Sequence, residues 1–481
     1  MKIQDMKNII KAAIITLALL PSAAAASQAQ ELKSSYFMEG AAYRHKMNPA
    51  FFNESSYINL PFIALGNFNF GLNSNMGLSN FIYPMEDGGL TTFMNSSVST
   101  EEFLGGLSAE NRLTLDLSTD ILSLGFFGIA GGFNTIEVGL RSNTSVNLPK
   151  ELFAVLKNFM PEAEGTSYHI RNIGVTSNNF LQFSLGHSRY VWKDRISVGA
   201  KLKFLVGVAS LDANIDRLDL YFSKNVWNAD ISGSGYLALK GAGLTSDADN
   251  YIDGFDFNSN EIGIGGYGAA IDLGAYFDMD YLVPGLAISA SVTDLGFINW
   301  SGVQTADWNG NFEFTGMDNI GQGNSLDSEL DALGQRALKF IRPKKGEELP
   351  SKISMLSAKM YISAEYKLPM YDKVKFGLLS ATTFNGPHTY SEARLVAQYS
   401  PAKWFEFSLN YAYGSLGHSF GWMLNFHPKG FNFFIGNDNF YLGKYSPQLI
   451  PVGKIKMNIN FGFNITWGSD KIASHKEKLK G

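Results

Sequence analysis

The chain has 481 residues with 49 Gly, 37 Phe, 21 Tyr and no Cys, and a formal net charge of −5. Without cysteine no disulfide can hold it, and without a basic stripe a nucleic-acid partner is excluded. No run beyond the N-terminus approaches the roughly 18 consecutive apolar residues of a membrane helix, yet aromatics reach 14% and charged residues only 17%. Strands with one polar and one apolar face have that balance.

Lys2, Lys7 and Lys11 precede the apolar stretch Ala12–Leu20, which Pro21 breaks. This is the form of a signal peptide, with cleavage expected after Ala29 or after Ala26. Residues 30–56 carry Phe37, Met38, Met47, Phe51 and Phe52, too few apolar groups for a core of their own. They are expected to pack inside whatever follows, as a plug or as a movable hatch.

From Ile58 the even positions to Leu72 are apolar or small, the mark of a first strand. A long connection to about Asn111 holds a helical turn capped near Thr100. Arg112–Leu124 and Phe133–Val146 read as the next strands, and a second long connection, 148–177, opens on an amphipathic helix. The hairpin Phe180–Val191 and Ile196–Ser210 turns at Trp192–Arg195. After the connection 216–262 come Gly263–Asp278 and Leu286–Trp300, then a stretch at 301–352 with an expected helix, Leu326–Phe340. Strands at 353–368, 373–384, 391–400, 403–414, 419–427, 431–437 and 454–467 complete the series.

The last strand is the clearest. Ile455, Met457, Ile459, Phe461, Phe463, Ile465 and Trp467 alternate with Lys456, Asn458, Asn460, Gly462, Asn464 and Thr466. A strand crosses a bilayer in about 9–11 residues, and this run is longer. Short and long connections also alternate along the chain, as short periplasmic turns and long external loops do in outer-membrane barrels. The expected fold is therefore all-β: about fourteen antiparallel strands closed into an outer-membrane barrel spanning 57–468. A plug at 30–56, a few short loop helices and a basic tail at 469–481 complete it.

Particular stretches carry a resemblance. Asn48-Pro49-Ala50, followed by Phe51 and Phe52, is similar to the hatch motif of FadL-type transporters and their PorV-like relatives. Leu185–Arg189, Val198–Phe204, Ala270–Gly274 and Asp294–Trp300 resemble a family of Bacteroidota outer-membrane barrels without an agreed activity. The resemblance implies passive uptake of small hydrophobic or amphipathic compounds, with outer-membrane lipid around the barrel. The alternative it implies is a scaffold that binds exported or envelope proteins. It further suggests an outer capture site built from Phe51, Phe52, Phe81, Phe93, Phe103, Phe153 and Phe159.

Motifs of chemistry are few. Gly263–Gly268 spells GxGxxG but runs into a strand rather than opening a helix, so it fails as a dinucleotide site. Asp247, Asp249, Asp253 and Asp256 would suit calcium, but the EF-hand spacing breaks and a solvated acidic loop is the competing reading. No GxSxG, HExxH or P-loop occurs, so neither an enzyme nor a cofactor or metal is expected. Alternation turns Lys201, Lys203, Asp272, Lys359, Glu365, Arg394 and Glu406 into the lumen. There they either pair with one another or select a substrate.

Overall fold

Strict alternation becomes a closed sheet. The computed structural model describes residues 32–59, 67–85, 88–158, 165–223, 226–315, 335–336, 339–386, 389–415, 417–440 and 453–468. Among them fourteen strands form one antiparallel ring. These are β1 (Ser56–Asn59, resuming at Phe68–Gly77), β2 (Glu110–Phe127), β3 (Phe133–Pro149), β4 (Thr166–Trp192) and β5 (Ile196–Phe222). There follow β6 (Gly266–Asp278), β7 (Leu286–Phe314), β8 (Lys359–Lys367), β9 (Val374–Thr383) and β10 (Tyr390–Ala402). The circuit ends with β11 (Phe405–Gly414), β12 (Gly417–Phe426), β13 (Phe431–Phe440) and β14 (Lys454–Trp467). Sequence neighbours pair throughout, and β14 returns to β1 with Ser56 opposite Trp467 and Ile58 opposite Ile465.

The two faces reverse the usual order of a soluble protein. On β5, Leu202 and Phe204 are 64% and 52% exposed while Lys201 and Lys203 are buried. On β14, Ile459, Ile465 and Trp467 are exposed while Asn458, Asn460 and Asn464 are buried. Hydrocarbon is the solvent that matches such an outer face, and among the described residues each of the fourteen strands pairs with a neighbour on both sides.

The strands are longer than their apolar stretches. β4 and β5 have 27 residues each and β7 has 29, so much of what reads as loop at 148–177, 216–262 and 301–352 is sheet. Polar alternation continues the hydrogen-bond ladder into water, where no apolar outer face advertises it. In this upper part the strand Trp227–Leu239 takes the place of β6 between β5 and β7. Lys344–Met355 likewise pairs with β7 above β8, so the strand expected at 353–368 is two, parted at 356–358. The helix expected at Leu326–Phe340 lies mostly outside the described residues, as do 1–31 and 469–481.

The parting lies beside a bulge. Asp294 has φ +59°, and the β6–β7 register slips between Ile271 and Leu273. Below the bulge Ser291 and Thr293 are buried; above it Leu295 and Phe297 face out while Ile298 and Trp300 are fully buried.

The long-connection end carries a small apolar cap. Helices α1 (Thr100–Gly105) and α2 (Lys150–Lys157) gather Met76, Val98, Phe103, Leu107 and Phe153, with Phe81 and Phe93 against them. Ser99 caps α1 by accepting the Glu102 N–H. Lys157 closes the cap by donating to the carbonyls of Phe93, Asn95 and Val98.

Candidate functional site

The interior is occupied by residues 32–53, nearly all of them buried. This segment has little regular structure, two 3₁₀ turns at Lys33–Ser35 and Arg44–Lys46, so its backbone polar groups need partners elsewhere. The wall supplies many of them. The N–H groups of Lys33 and Ser34 donate to Asp438 at 2.6 and 2.8 Å, and Gly40 N–H donates to Glu406 at 3.2 Å. Ser291 donates to the Met47 carbonyl at 2.6 Å and Ser197 to the Ala50 carbonyl at 2.8 Å. Tyr43 donates to Asn464 at 2.5 Å, and Tyr36 shares a 2.9 Å hydrogen bond with Ser289.

Asn48-Pro49-Ala50 lies on a floor without side chains. The Asn48 amide oxygen accepts the Ala50 N–H at 3.0 Å and its NH₂ donates to the Ala275 carbonyl at 3.3 Å. Beneath it Gly199 of β5 and Gly274 of β6 are cross-strand partners. A Cβ on Gly199 would strike the Pro49 carbonyl, and one on Gly274 the Asn48 side chain. Glycine at both positions admits the backbone that the triplet presents.

Phe51 packs with Tyr36, Phe37, Met47 and Tyr361, while Phe52 stacks on Tyr190 with centroids 4.8 Å apart. Both therefore sit towards the short-turn end. The single outer aromatic site expected to unite them with Phe81, Phe93, Phe103 and Phe153 does not exist. Only those last four meet, in the cap. Phe159 lies outside the described residues.

The nominated charges all have partners inside the ring. Lys201 meets Glu137 at 2.5 Å, and Lys46 of the segment meets Asp120 at 2.5 Å and Glu137 at 3.6 Å. Lys203 bridges Asp272 at 2.7 Å and Asp294 at 2.6 Å, with Lys359 at 3.9 Å from Asp294. Glu365 accepts from Tyr276 at 3.2 Å and lies 3.5 Å from Lys375. Arg394 binds Asn410, Glu392 at 3.0 Å and Asp438 at 3.6 Å. Glu406 accepts from Gln398 and Asn425, both at 3.1 Å. Sequence reasoning missed the acceptors Asp120, Glu137, Asp294 and Asp438, and the donor Lys46. Besides the inward charges, the even-numbered Asn residues of β14 were the signal of how polar the interior is.

A gap with room for a single water lies between the segment and the wall. Leu32, Ala41, Ala42, Tyr43, Met47, Met423 and Phe434 line it, together with the polar Ser35 and Asn67. Asn67 directly precedes the point where β1 resumes. Asn59 pairs with Ser123 and Phe68 with Thr119, so β1 advances nine residues while β2 advances four. The two stretches of β1 are thus offset by five residues against β2, and the second begins beside this gap.

Among the described residues no three His, Asp or Glu side chains gather to hold a metal. In the acidic connection Asp247 accepts the N–H groups of Tyr251 and Asp249 and pairs with Arg342 at 3.0 Å. The Tyr251 N–H and then the Asp249 N–H hold its carboxyl below the usual carboxylate range. Asp249 pairs with Lys339 at 2.5 Å.

The sequence at residues 49–438 matches the family described as Family of unknown function (DUF5723). No curated protein matches the sequence. Among solved structures, the toluene transporter TbuX of Ralstonia pickettii is 9% identical, with 90% of this chain and 98% of that one covered, at a TM-score of 0.40. A FadL homologue of Pseudomonas aeruginosa is 10% identical over 90% and 93% of the two chains, at 0.35. The Pseudomonas putida toluene transporter TodX is 7% identical over 91% and 94%, at 0.34. At such scores the likeness carries nothing about chemistry, and the ring is read from the chain's own hydrogen bonds.

Proposed function

This chain belongs to the DUF5723 family, whose function is unknown, and from its geometry we propose an outer-membrane barrel for passive uptake of small apolar or amphipathic compounds. In this reading the first 29 residues are an export signal, the short turns face the periplasm, and residues 32–53 are the plug. The observation that carries it is the five-residue offset between the two stretches of β1 against β2, beside a gap lined largely by Leu32, Met47, Met423 and Phe434. A wall that is unbroken and polar inside offers an apolar molecule no route, whereas a discontinuity next to an apolar lining offers one between lumen and lipid. The cap supports an entry point, since Leu90 and Met94 around its aromatic core are 74% and 63% exposed.

The test is entry of toluene into vesicles with a lipopolysaccharide outer leaflet, a barrier to apolar solutes, that contain the purified protein. Deleting five residues between Asn59 and Phe68 should restore a matched ladder, and Ala42→Val should fill the gap. Both variants should still migrate as folded barrels on unheated gels, with entry reduced to that of protein-free vesicles. Entry at the wild-type rate in both would reject the reading.

The second reading is a scaffold for exported or envelope proteins. The tall rim favours it, where Trp227–Leu239 and Lys344–Met355 raise the wall above the ring. A stoichiometric co-purified partner together with no toluene entry would select it.

A further inference from the structure

Arg44 opens the 3₁₀ turn Arg44–Lys46, and its two successors are both engaged. His45 shares a 2.7 Å hydrogen bond with Tyr57, and Lys46 meets Asp120. Arg44 has no such partner. It is 6% exposed, and neither Nε nor Nη1 finds an acceptor. Its guanidinium lies 4.0 Å from the Phe51 ring centroid. The carboxylates of this region are committed elsewhere: Glu39 and Glu365 converge on Lys375 at 2.8 and 3.5 Å, and Glu406 is held by Gly40, Gln398 and Asn425.

A guanidinium does not shed its proton, so it remains a full charge at this depth. Buried charges in folded proteins are paired, and a ring face compensates such a charge only in part. The surroundings are aromatic, since Phe51 lies 5.9 Å from Tyr276, and the charge reaches the phenols of Tyr36 and Tyr190. Tyr276 is two residues from the end of β6, which places the group near the short-turn end.

We propose that Arg44 is the recognition point of an oxyanion site on the N-terminal segment. It takes a carboxylate or a phosphate group arriving from the short-turn end, and the bound anion stabilises the segment in its seated position. A guanidinium presents parallel N–H pairs, Nε with Nη2 or Nη1 with Nη2, and either pair suits two oxygens of one group. The site requires no transport and stands or falls apart from the uptake reading.

Inorganic phosphate and benzoate, each titrated against sodium chloride of equal ionic strength, separate the two sources of that chemistry. With the full mature barrel in detergent, at least one should raise the thermal midpoint saturably, by about 3 °C at a hundredfold excess over Kd. A response to phosphate alone identifies a free anion, and one to benzoate alone an organic carboxylate. Arg44→Gln should show no shift with either, and its midpoint without anion should be no lower than that of the wild type. Should Arg44→Gln fail to fold, Arg44→Lys keeps the charge but loses the fork and should bind about tenfold more weakly. Line broadening of 4-fluorobenzoate by the wild type reads binding without any variant. No saturable shift and no broadening, or the same shift in Arg44→Gln, would overturn the proposal.

Discussion

Lys201 and Glu137 meet at 2.5 Å with side chains 2% and 3% exposed, on strands separated by β4. Removing Lys201 leaves Glu137 buried with only Lys46 as counter-ion, 3.6 Å away and already bound to Asp120, whereas removing both Lys201 and Glu137 leaves a hole that apolar groups can fill. Lys201→Met should therefore cost about 3–5 kcal/mol of unfolding free energy, and adding Glu137→Leu should recover most of it. Urea midpoints of the refolded barrel measure both changes. Alternation alone turned Lys201 inward, because a strand's faces repeat every second residue. Its partner was not legible. Glu137 reaches it across β4, and that depends on two registers that no local pattern specifies. Asp294 was missed for a different reason: its positive φ inserts a bulge, and alternation counted through a bulge comes out on the wrong face.

Elements were legible where one face meets lipid and obscure where both meet water. The apolar parts of β5, β6 and β14 stand where the pattern put them. The upper halves of β4, β5 and β7 do not announce themselves, since their outer residues are small or polar. The N-terminal segment was legible only as apolar residues in need of cover. Its seat on Gly199 and Gly274 came from pairing between two strands. Gly199→Val should leave the ring intact but displace Asn48–Ala50, at a cost of about 1–3 kcal/mol from overpacking. Protease added from the short-turn side should then cut within 44–52 in the variant only. Among the loop elements, the hairpin Ala242–Ser246 and Ile252–Phe257 depends on Asp247. Its carboxyl titrates lower folded than unfolded, so its contribution is present above the ordinary carboxylate pKa and is lost as pH falls through the lowered one. Exchange of the Tyr251 amide should accordingly stay slow at the usual carboxylate pKa and quicken only in stronger acid, whereas Asp247→Asn should quicken it at neutral pH.

For the whole molecule, the reversal of faces is the strongest constraint. Leu202 is 64% exposed on the outer face of β5. In a water-facing sheet Leu202→Arg would change stability by about 0.5 kcal/mol or less, whereas near a bilayer midplane it should cost about 2–4 kcal/mol. Folding yields into vesicles against urea distinguish the two. The ring itself was legible because fourteen strands, an even number, and alternating connection lengths are properties of the full chain rather than of any one residue.

The seam of that ring unites Ser56 with Trp467, the start of the barrel sequence with its finish. A nascent chain lacking only β14 would present two raw borders, with the N-terminal segment lying in an open trough. Sealing must wait for the final residues to be delivered. Because wall strands from β2 to β14 bond to that segment, shutting the seam also encloses it.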